Sequence, residues 1–132
     1  MNRIFGSLGE SAAADWLRKR GWRILARNYA VRGGEIDIAA FRFGTLLCAE
    51  VKTRSQTDYG LPRDAVDGIK IRRFREEVRD LTENYVINGR IPVNFGKFTI
   101  KRRVFRIRCD IIEVYAARNG NVSEIIQIKD AF

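Results

Sequence analysis

Apolar residues near the start of the chain recur at the spacing of an amphipathic helix. Leu8, Ala12 and Trp16 carry this pattern, and Gly21 supplies a C-terminal stop. The run Ser7-Leu8-Gly9-Glu10 has the form of a capping box, in which the glutamate side chain reaches back to a free backbone N–H at the helix start. We therefore predict a first helix that starts at this box and stops before Gly21.

Short runs of aliphatic and aromatic residues come next, separated by glycine turns, and they indicate β-strands. The runs predict strands over 22–29, 35–41 and 46–53, because turn residues at Gly33-Gly34 and Phe43-Gly44 divide them. The turn at Phe43-Gly44 would join the second and third strands as an antiparallel hairpin.

Helical spacing returns in Ile71, Phe74, Val78 and Leu81, with charged residues between them. This pattern predicts a long amphipathic helix from 64 to about 84. Such a helix is long enough to cross over the sheet to a strand that runs parallel to the third.

The last third of the chain mixes turn residues with strand patterns. Glycine, asparagine and proline recur over 86–103, which predicts an irregular excursion with a short strand near 98–100. From Phe105 onward apolar residues alternate with charged ones, as in a half-buried strand. A turn and a final strand over 122–128 follow.

The resulting order is one helix, three strands, one helix and two strands. It predicts an α/β sandwich built on a central mixed sheet with helices on its faces. A chain of 132 residues, 45% hydrophobic and 31% charged, has the size and composition of one compact domain spanning 1–132.

Charge and one missing residue type narrow the chemistry. Lysine and arginine number 25 against 16 acidic residues, a net charge of +9, which favours a polyanionic partner such as nucleic acid over an unpartnered basic surface. The chain has no histidine, so nuclease motifs that depend on histidine and zinc sites that contain histidine are excluded. Hydrolysis would have to use carboxylates, lysine and a hard metal ion.

The sequence also bears on location. The N-terminus lacks the apolar core of a signal peptide, and no apolar run reaches membrane-spanning length, so we expect a cytoplasmic protein with no membrane partner. Cys48 and Cys109 lie in apolar stretches and are expected to be buried thiols.

The triplet Glu50-Val51-Lys52 places an acid and a lysine on one face of the third strand, because alternate strand residues share a face. A hairpin turning at Phe43-Gly44 places Asp37 opposite Glu50. Like charges directly across a strand pair are destabilising. A divalent cation such as Mg²⁺ between the two carboxylates would compensate, and Lys52 could orient or help deprotonate an attacking water molecule.

Each of these residues also has a simpler interpretation. The triplet and Asp37 could form an exposed charge cluster worth less than about 1 kcal/mol per pair. Glu10 could serve only as the capping-box glutamate. Glu35 lies on the same face of the second strand as Asp37, but at the first residue of that strand. Its side chain could equally be solvated or contact a substrate.

Three motifs together resemble a known family. Their order and spacing are similar to those of the YraN-like family of predicted endonucleases, which resembles the archaeal Holliday-junction resolvases of the PD-(D/E)XK nuclease superfamily. The motifs are Gly6-Ser7-Leu8-Gly9-Glu10, Gly33-Gly34-Glu35-Ile36-Asp37-Ile38 and Ala49-Glu50-Val51-Lys52-Thr53-Arg54. The similarity continues through Gly60, Ala65-Val66, Lys70, 108–110 and Ala131-Phe132, whereas 86–103 has no clear counterpart.

The resemblance implies a restriction-endonuclease-like α-β-β-β-α-β core and assigns roles to particular residues. Asp37 and Glu50 would be metal ligands, Lys52 the catalytic lysine, and Glu10 a helix-borne acid of the same site. Separately from the resemblance, Arg54 and Lys70 are basic residues near this site, and we expect them to hold phosphates without reading the base sequence.

Three functions remain compatible with the sequence. The first is a Mg²⁺- or Mn²⁺-dependent endonuclease acting on structured or branched DNA through a metal-activated water. The second is a non-catalytic nucleic-acid-binding module that acts with a DNA-repair or DNA-uptake partner. The third is a structural protein with a basic surface. A homodimer is left open, because no self-complementary surface can be identified from the sequence.

Overall fold

The computed structural model describes residues 3–55 and 68–132, with Arg3 described by its backbone alone. Its elements in chain order are α1 (Arg3–Lys19), β1 (Arg23–Val31), β2 (Gly34–Arg42), β3 (Thr45–Ser55), α2 (Gly68–Tyr85), β4 (Arg90–Phe95), β5 (Phe98–Arg103), β6 (Arg106–Ala116) and β7 (Val122–Ile128). The sequence-predicted start of the second helix at 64 lies outside the described residues.

Five strands form the central sheet in the order β1-β2-β3-β6-β7. The β1-β2, β2-β3 and β6-β7 pairs are antiparallel, and β3 pairs with β6 in parallel. The parallel pair is possible because α2 lies in the connection between its two strands. The predicted mixed α/β fold, with its α-β-β-β-α-β core, is confirmed.

Each face of the sheet carries one helix and one apolar core. Alternation along β3 divides its side chains, so that Leu47 and Ala49 pack towards α1 while Leu46 and Cys48 pack towards α2. Glu50 continues the series that faces α2. No helix in the described ranges is long and apolar enough to span a membrane.

The prediction that α1 starts at a capping box is wrong. The helix already includes Arg3, so Ser7 and Glu10 lie within it. Within this longer helix Gly9 packs closely against β3, since a Cβ added there would lie 2.9 Å from the Cβ of Thr53, a buried residue. This contact holds the first turns of α1 against the sheet.

The segment 86–103 contains the predicted short strand, which extends over β5, but the segment is a regular hairpin rather than an irregular excursion. β4 and β5 form a two-stranded antiparallel sheet separate from the central one. Gly89 and Gly96, whose φ angles are 73° and 65°, lie at the turns before and within this hairpin. The glycines that suggested irregularity therefore mark the ends of a strand, and Ile91 and Val93 are buried against the α2 core.

At the start of β6 the side chains are exposed and buried in the opposite sense to the prediction, which placed the apolar residues inside and the charged residues outside. Phe105 is 79% exposed, whereas Arg108 and Asp110 are buried. Burial is tolerated because Arg108 Nη2 lies 3.0 Å from Asp110 Oδ2, and the Gln127 amide donates to that same oxygen at 2.7 Å. The final strand has its predicted bounds.

Both cysteines are free thiols, as predicted. Cys48 on β3 and Cys109 on β6 are neighbours across the parallel strand pair, without a disulfide between them. Cys48 is buried and Cys109 is half-buried. Burial raises the pKa of the Cys109 thiol to about 11, which keeps it protonated near neutral pH.

Candidate active site

The β2-β3 hairpin has the predicted register. Its paired residues run from Arg42 and Thr45 to Ile38 and Ala49. Asp37 and Glu50 come next along the two strands, beyond the last pair. There the backbone N–H of Val51 donates to Asp37 Oδ2 at 2.8 Å. The Asp37 carboxylate is thus held in place where pairing between the two strands ends.

Three carboxyl groups meet at this end of the hairpin. Glu10 from α1 joins Glu35 and Asp37 from β2, and one carboxylate oxygen of each lies within 4.8 Å of the others. Gly9 makes the approach possible, because its lack of a side chain lets α1 pack against Thr53. Glu10 therefore lies beside Asp37 rather than capping its own helix, and Glu35, left undecided by the sequence, belongs to the same group.

Negative charge is unfavourable in this group. Burial raises the pKa of Asp37 to about 6, and the neighbouring carboxylates of Glu10, Glu50 and Glu35 also raise it, against a lowering by the Val51 hydrogen bond. A cation bound among these oxygens would relieve both the repulsion and the cost of burial.

Glu50 and Lys52 project on the same face of β3, as strand alternation predicts. Lys52 Nζ lies 3.7 Å from Glu50 Oε1, a distance of charge pairing rather than of a short hydrogen bond. The other oxygen, Glu50 Oε2, is buried and has no hydrogen-bond partner in the structure as described. A buried acceptor without a partner is costly, and a bound ion or water molecule would satisfy it.

The carboxylates open into a cavity of about 330 Å³ between the sheet and α2. Phe74 and Phe132, stacked with ring centroids 4.0 Å apart, form part of its wall. Its lining residues are Gly33, Gly34, Glu35, Asp37, Glu50, Lys70, Arg73, Phe74, Glu77 and Phe132. Acidic groups from β2 and β3 thus share one cavity with two cationic side chains from α2.

Glu77 is a member of this cavity that sequence reasoning missed. Burial raises the pKa of its carboxyl group, and the charge of Glu50 raises it further. Gly34 leaves room for the side chain, since a Cβ added there would lie 3.0 Å from Glu77 Oε2. A signal was available: Glu77 lies on the apolar face of α2 with Phe74 and Leu81, where an acidic residue is unusual.

The two basic residues assigned to phosphate binding have different surroundings. Lys70 lines the cavity. Arg54 instead directs Nε at Glu113 Oε2, 3.0 Å away, and these side chains are 19% and 2% exposed. The parallel register of β3 and β6 creates this buried ion pair, so Arg54 has a structural role that the sequence did not suggest.

Comparison with known proteins gives one consistent family. The family model described as "Uncharacterised protein family UPF0102" matches residues 9–114. A UPF0102 protein of Dictyoglomus thermophilum is 35% identical over 131 residues, covering 99% of this chain and 98% of its own. One from Acetivibrio thermocellus is 37% identical over 134 residues, covering 98% and 92%. A third, from Persephonella marina, is 34% identical over 129 residues, covering 98% and 93%.

Proposed function

The chain belongs to the uncharacterised protein family UPF0102, the YraN family that its motifs resemble, and we propose that it is a metal-dependent endonuclease that hydrolyses DNA. The observation that carries this proposal is the meeting of Glu10, Glu35 and Asp37, whose carboxylate oxygens lie within 4.8 Å of one another. Structured or branched DNA is the proposed substrate, and the cytoplasm, where DNA lies, is the proposed location.

The donor set fits Mg²⁺ or Mn²⁺. All the candidate ligands are carboxylate oxygens, which hard divalent cations prefer, and the chain has no histidine to favour a softer metal. We propose Glu10, Asp37 and Glu50 as the ligands. Glu50 lies beside the close group of Glu10, Glu35 and Asp37 rather than within it, and Glu35 is a further candidate ligand. A cation bound there would polarise a phosphate oxygen and lower the pKa of a water molecule.

The remaining roles fall to residues around this group. The unpartnered Glu50 Oε2 can accept a hydrogen bond from the attacking water molecule and so orient it. The ammonium group of Lys52, 3.7 Å from Glu50 Oε1, can donate to a phosphate oxygen and offset the negative charge that develops during attack.

Substrate positioning is proposed for cations on α2. Lys70 and Arg73 line the same cavity as Asp37 and Glu50, so either can contact a phosphate next to the cleaved bond. Phosphate contacts fix the position of a nucleic acid without reading its bases. This favours selection by DNA shape, as in a branch or flap, over selection by sequence.

The direct test is a cleavage screen with four-way, flapped and linear DNA in the presence of Mg²⁺ or Mn²⁺. We expect metal-dependent cleavage that falls about 100-fold or more in Glu50→Gln and in Lys52→Ala. Glu83→Gln and Lys129→Ala make the same chemical changes at exposed positions, and both should cleave like the wild type.

Two outcomes would contradict the proposal. Cleavage at the wild-type rate by both site variants would place the chemistry elsewhere. Salt-sensitive DNA binding that survives loss of Asp37 and Glu50, with no metal-dependent cleavage by any variant, would instead support a non-catalytic binding module.

A further inference from the structure

The β4-β5 hairpin and its flanks lie in one of two long stretches of the chain that contain basic but no acidic residues, the other being 16–34. Between Tyr85 and Arg108 there is no aspartate or glutamate. The same stretch contains Arg90, Lys97, Lys101, Arg102, Arg103 and Arg106. A segment with only positive charge is suited to a polyanion.

The strand register sorts these residues between two faces. Ile91 and Val93 on one face of the hairpin are buried against the α2 core. On the other face Arg90 is paired with Arg103, and Lys101 is opposite Pro92. Like charges directly across a strand pair are destabilising, so the pairing of Arg90 with Arg103 lowers the stability of the hairpin unless an anion is bound there.

That charged face lines a cleft of about 670 Å³, here called the hairpin cleft. Its lining residues are Asn84, Tyr85, Ile87, Asn88, Arg90, Pro92, Lys101 and Arg103. None of its three cations forms an ion pair within residues 3–55 and 68–132. By contrast, Arg18 and Arg106 each pair with an aspartate. The cleft thus concentrates positive charge without a carboxylate to neutralise it.

The hairpin cleft and the candidate active site lie at opposite ends of one helix. Lys70 near the start of α2 lines the active-site cavity, and Tyr85 at its end lines the cleft. At 1.5 Å per residue these positions are roughly 22 Å apart along the helix axis. The same length of duplex DNA contains roughly six base pairs.

We propose that the hairpin cleft is a second nucleic-acid contact, which binds the phosphate backbone of a duplex arm that extends from the cleavage site. This inference rests on the proposed function for its substrate. Lys101 and Arg103 are two residues apart on β5, roughly 6.7 Å, which matches the spacing along the duplex axis between a phosphate and the second phosphate after it on one DNA strand. A substrate with about six or more paired bases beside the cleaved bond would engage both ends of α2.

Equilibrium binding to a 30-base-pair duplex over a range of salt concentrations tests this contact. The full-length chain is used with EDTA, so that no cleavage occurs. The double variant Lys101→Ala with Arg103→Ala should reduce the slope of log affinity against log salt by about 2 and weaken binding about tenfold or more at low salt. Both residues are exposed, and unchanged thermal unfolding would confirm that the variant is folded.

The matched control is Arg118→Ala with Lys129→Ala, which removes the same charge from exposed positions outside the cleft. It should leave the slope within about 0.5 of the wild type. Equal losses of DNA affinity in both double variants would mean that net charge alone drives binding. Unchanged affinity and salt slope in the cleft variant would mean that DNA does not contact the cleft. Tighter binding to anionic lipid vesicles than to duplex DNA would overturn the choice of partner.

The two proposals can fail separately. If the wild type cleaves DNA but the cleft variant binds normally, only the hairpin contact is rejected. If the cleft binds DNA as described but no metal supports cleavage, the nuclease proposal is rejected and the contact remains.

Discussion

Asp37 lies where burial and three neighbouring carboxylates all oppose its negative charge. Its pKa of about 6 means that, without a metal, the carboxyl group is ionised at neutral pH even though burial and the neighbouring carboxylates disfavour the charged form. The residue therefore destabilises the fold unless a cation is bound, which is a feature of sites that are built for function rather than for stability.

This charge gives a stability prediction. Because the folded-state pKa of Asp37 is raised from 3.8 to about 6, its ionisation lowers the free energy of unfolding as pH rises through that window. Asp37→Asn keeps an acceptor for the Val51 N–H and removes the charge. In EDTA at pH 7.5 the free energy of unfolding of this variant should be about 1 to 2 kcal/mol higher than that of the wild type, a range that allows for partial solvent screening.

Urea unfolding at pH 7.5 and at pH 3.5 measures this effect. The gain should nearly vanish at pH 3.5, where Asp37 is largely protonated in both states. Glu83→Gln, an exposed acid on α2, should show no comparable gain. A less stable Asp37→Asn at pH 7.5 would show that the carboxylate is satisfied without a metal.

Sequence reasoning succeeds at residues whose positions follow from local geometry. Strand parity and one hairpin turn are enough to bring Asp37 and Glu50 to adjacent positions. It fails at Glu77, whose position depends on how α2 packs against the sheet, and at the partner of Arg54, which depends on how β6 pairs with β3. Such contacts join distant parts of the chain and have no local signature.

At the scale of elements, the contact between α1 and β3 places Glu10. Gly9 has no side chain to hold α1 away from Thr53, and a Cβ there would lie 2.9 Å from Thr53 Cβ and 3.0 Å from its Cγ2. The capping-box interpretation used only neighbours within the helix. The structure shows that the same residues are ordered by packing against a strand about 40 positions later.

Gly9→Ala tests this packing. Alanine normally favours a helix, but here the added methyl group must push α1 away from β3, so we expect a loss of about 1 to 3 kcal/mol in the free energy of unfolding. Gly68→Ala, in α2 with nothing near the added Cβ, is the matched control and should be neutral or stabilising. A Gly9→Ala protein as stable as the wild type would show that the close approach is not required.

Two other elements show where patterns mislead. Turn residues over 86–103 indicate where the chain bends, and the short strand predicted near 98–100 is present, but the pattern does not reveal β4 or its pairing with β5. Alternation from Phe105 onward indicates a strand, but it does not reveal that Arg108 and Asp110 are buried as a pair while the apolar residues at the start of the strand are exposed. Asp110 also accepts from Gln127 and from the Asp130 backbone N–H, partners that a single strand pattern cannot identify.

For the molecule as a whole, topology follows from the order of elements. A meander of three strands, a helix and a further strand leaves few unknotted arrangements, and the parallel pairing of β3 with β6 is the expected one. The resulting sheet places an acidic cavity at the start of α2, while the hairpin cleft lies at its end. The net charge of +9 is thus combined with a local group of carboxylates, a combination that the proposed metal-dependent cleavage of DNA would use.

Titration calorimetry with Mn²⁺ tests the central claim most directly, because it asks whether the carboxylate group binds a divalent cation. We predict saturable binding to the wild type at pH 7.5, at least about tenfold weaker binding to Asp37→Asn, and weaker wild-type binding at pH 5, where protons compete for Asp37. Glu83→Gln should bind like the wild type. No saturable binding at pH 7.5, or equal binding by Asp37→Asn, would contradict the account.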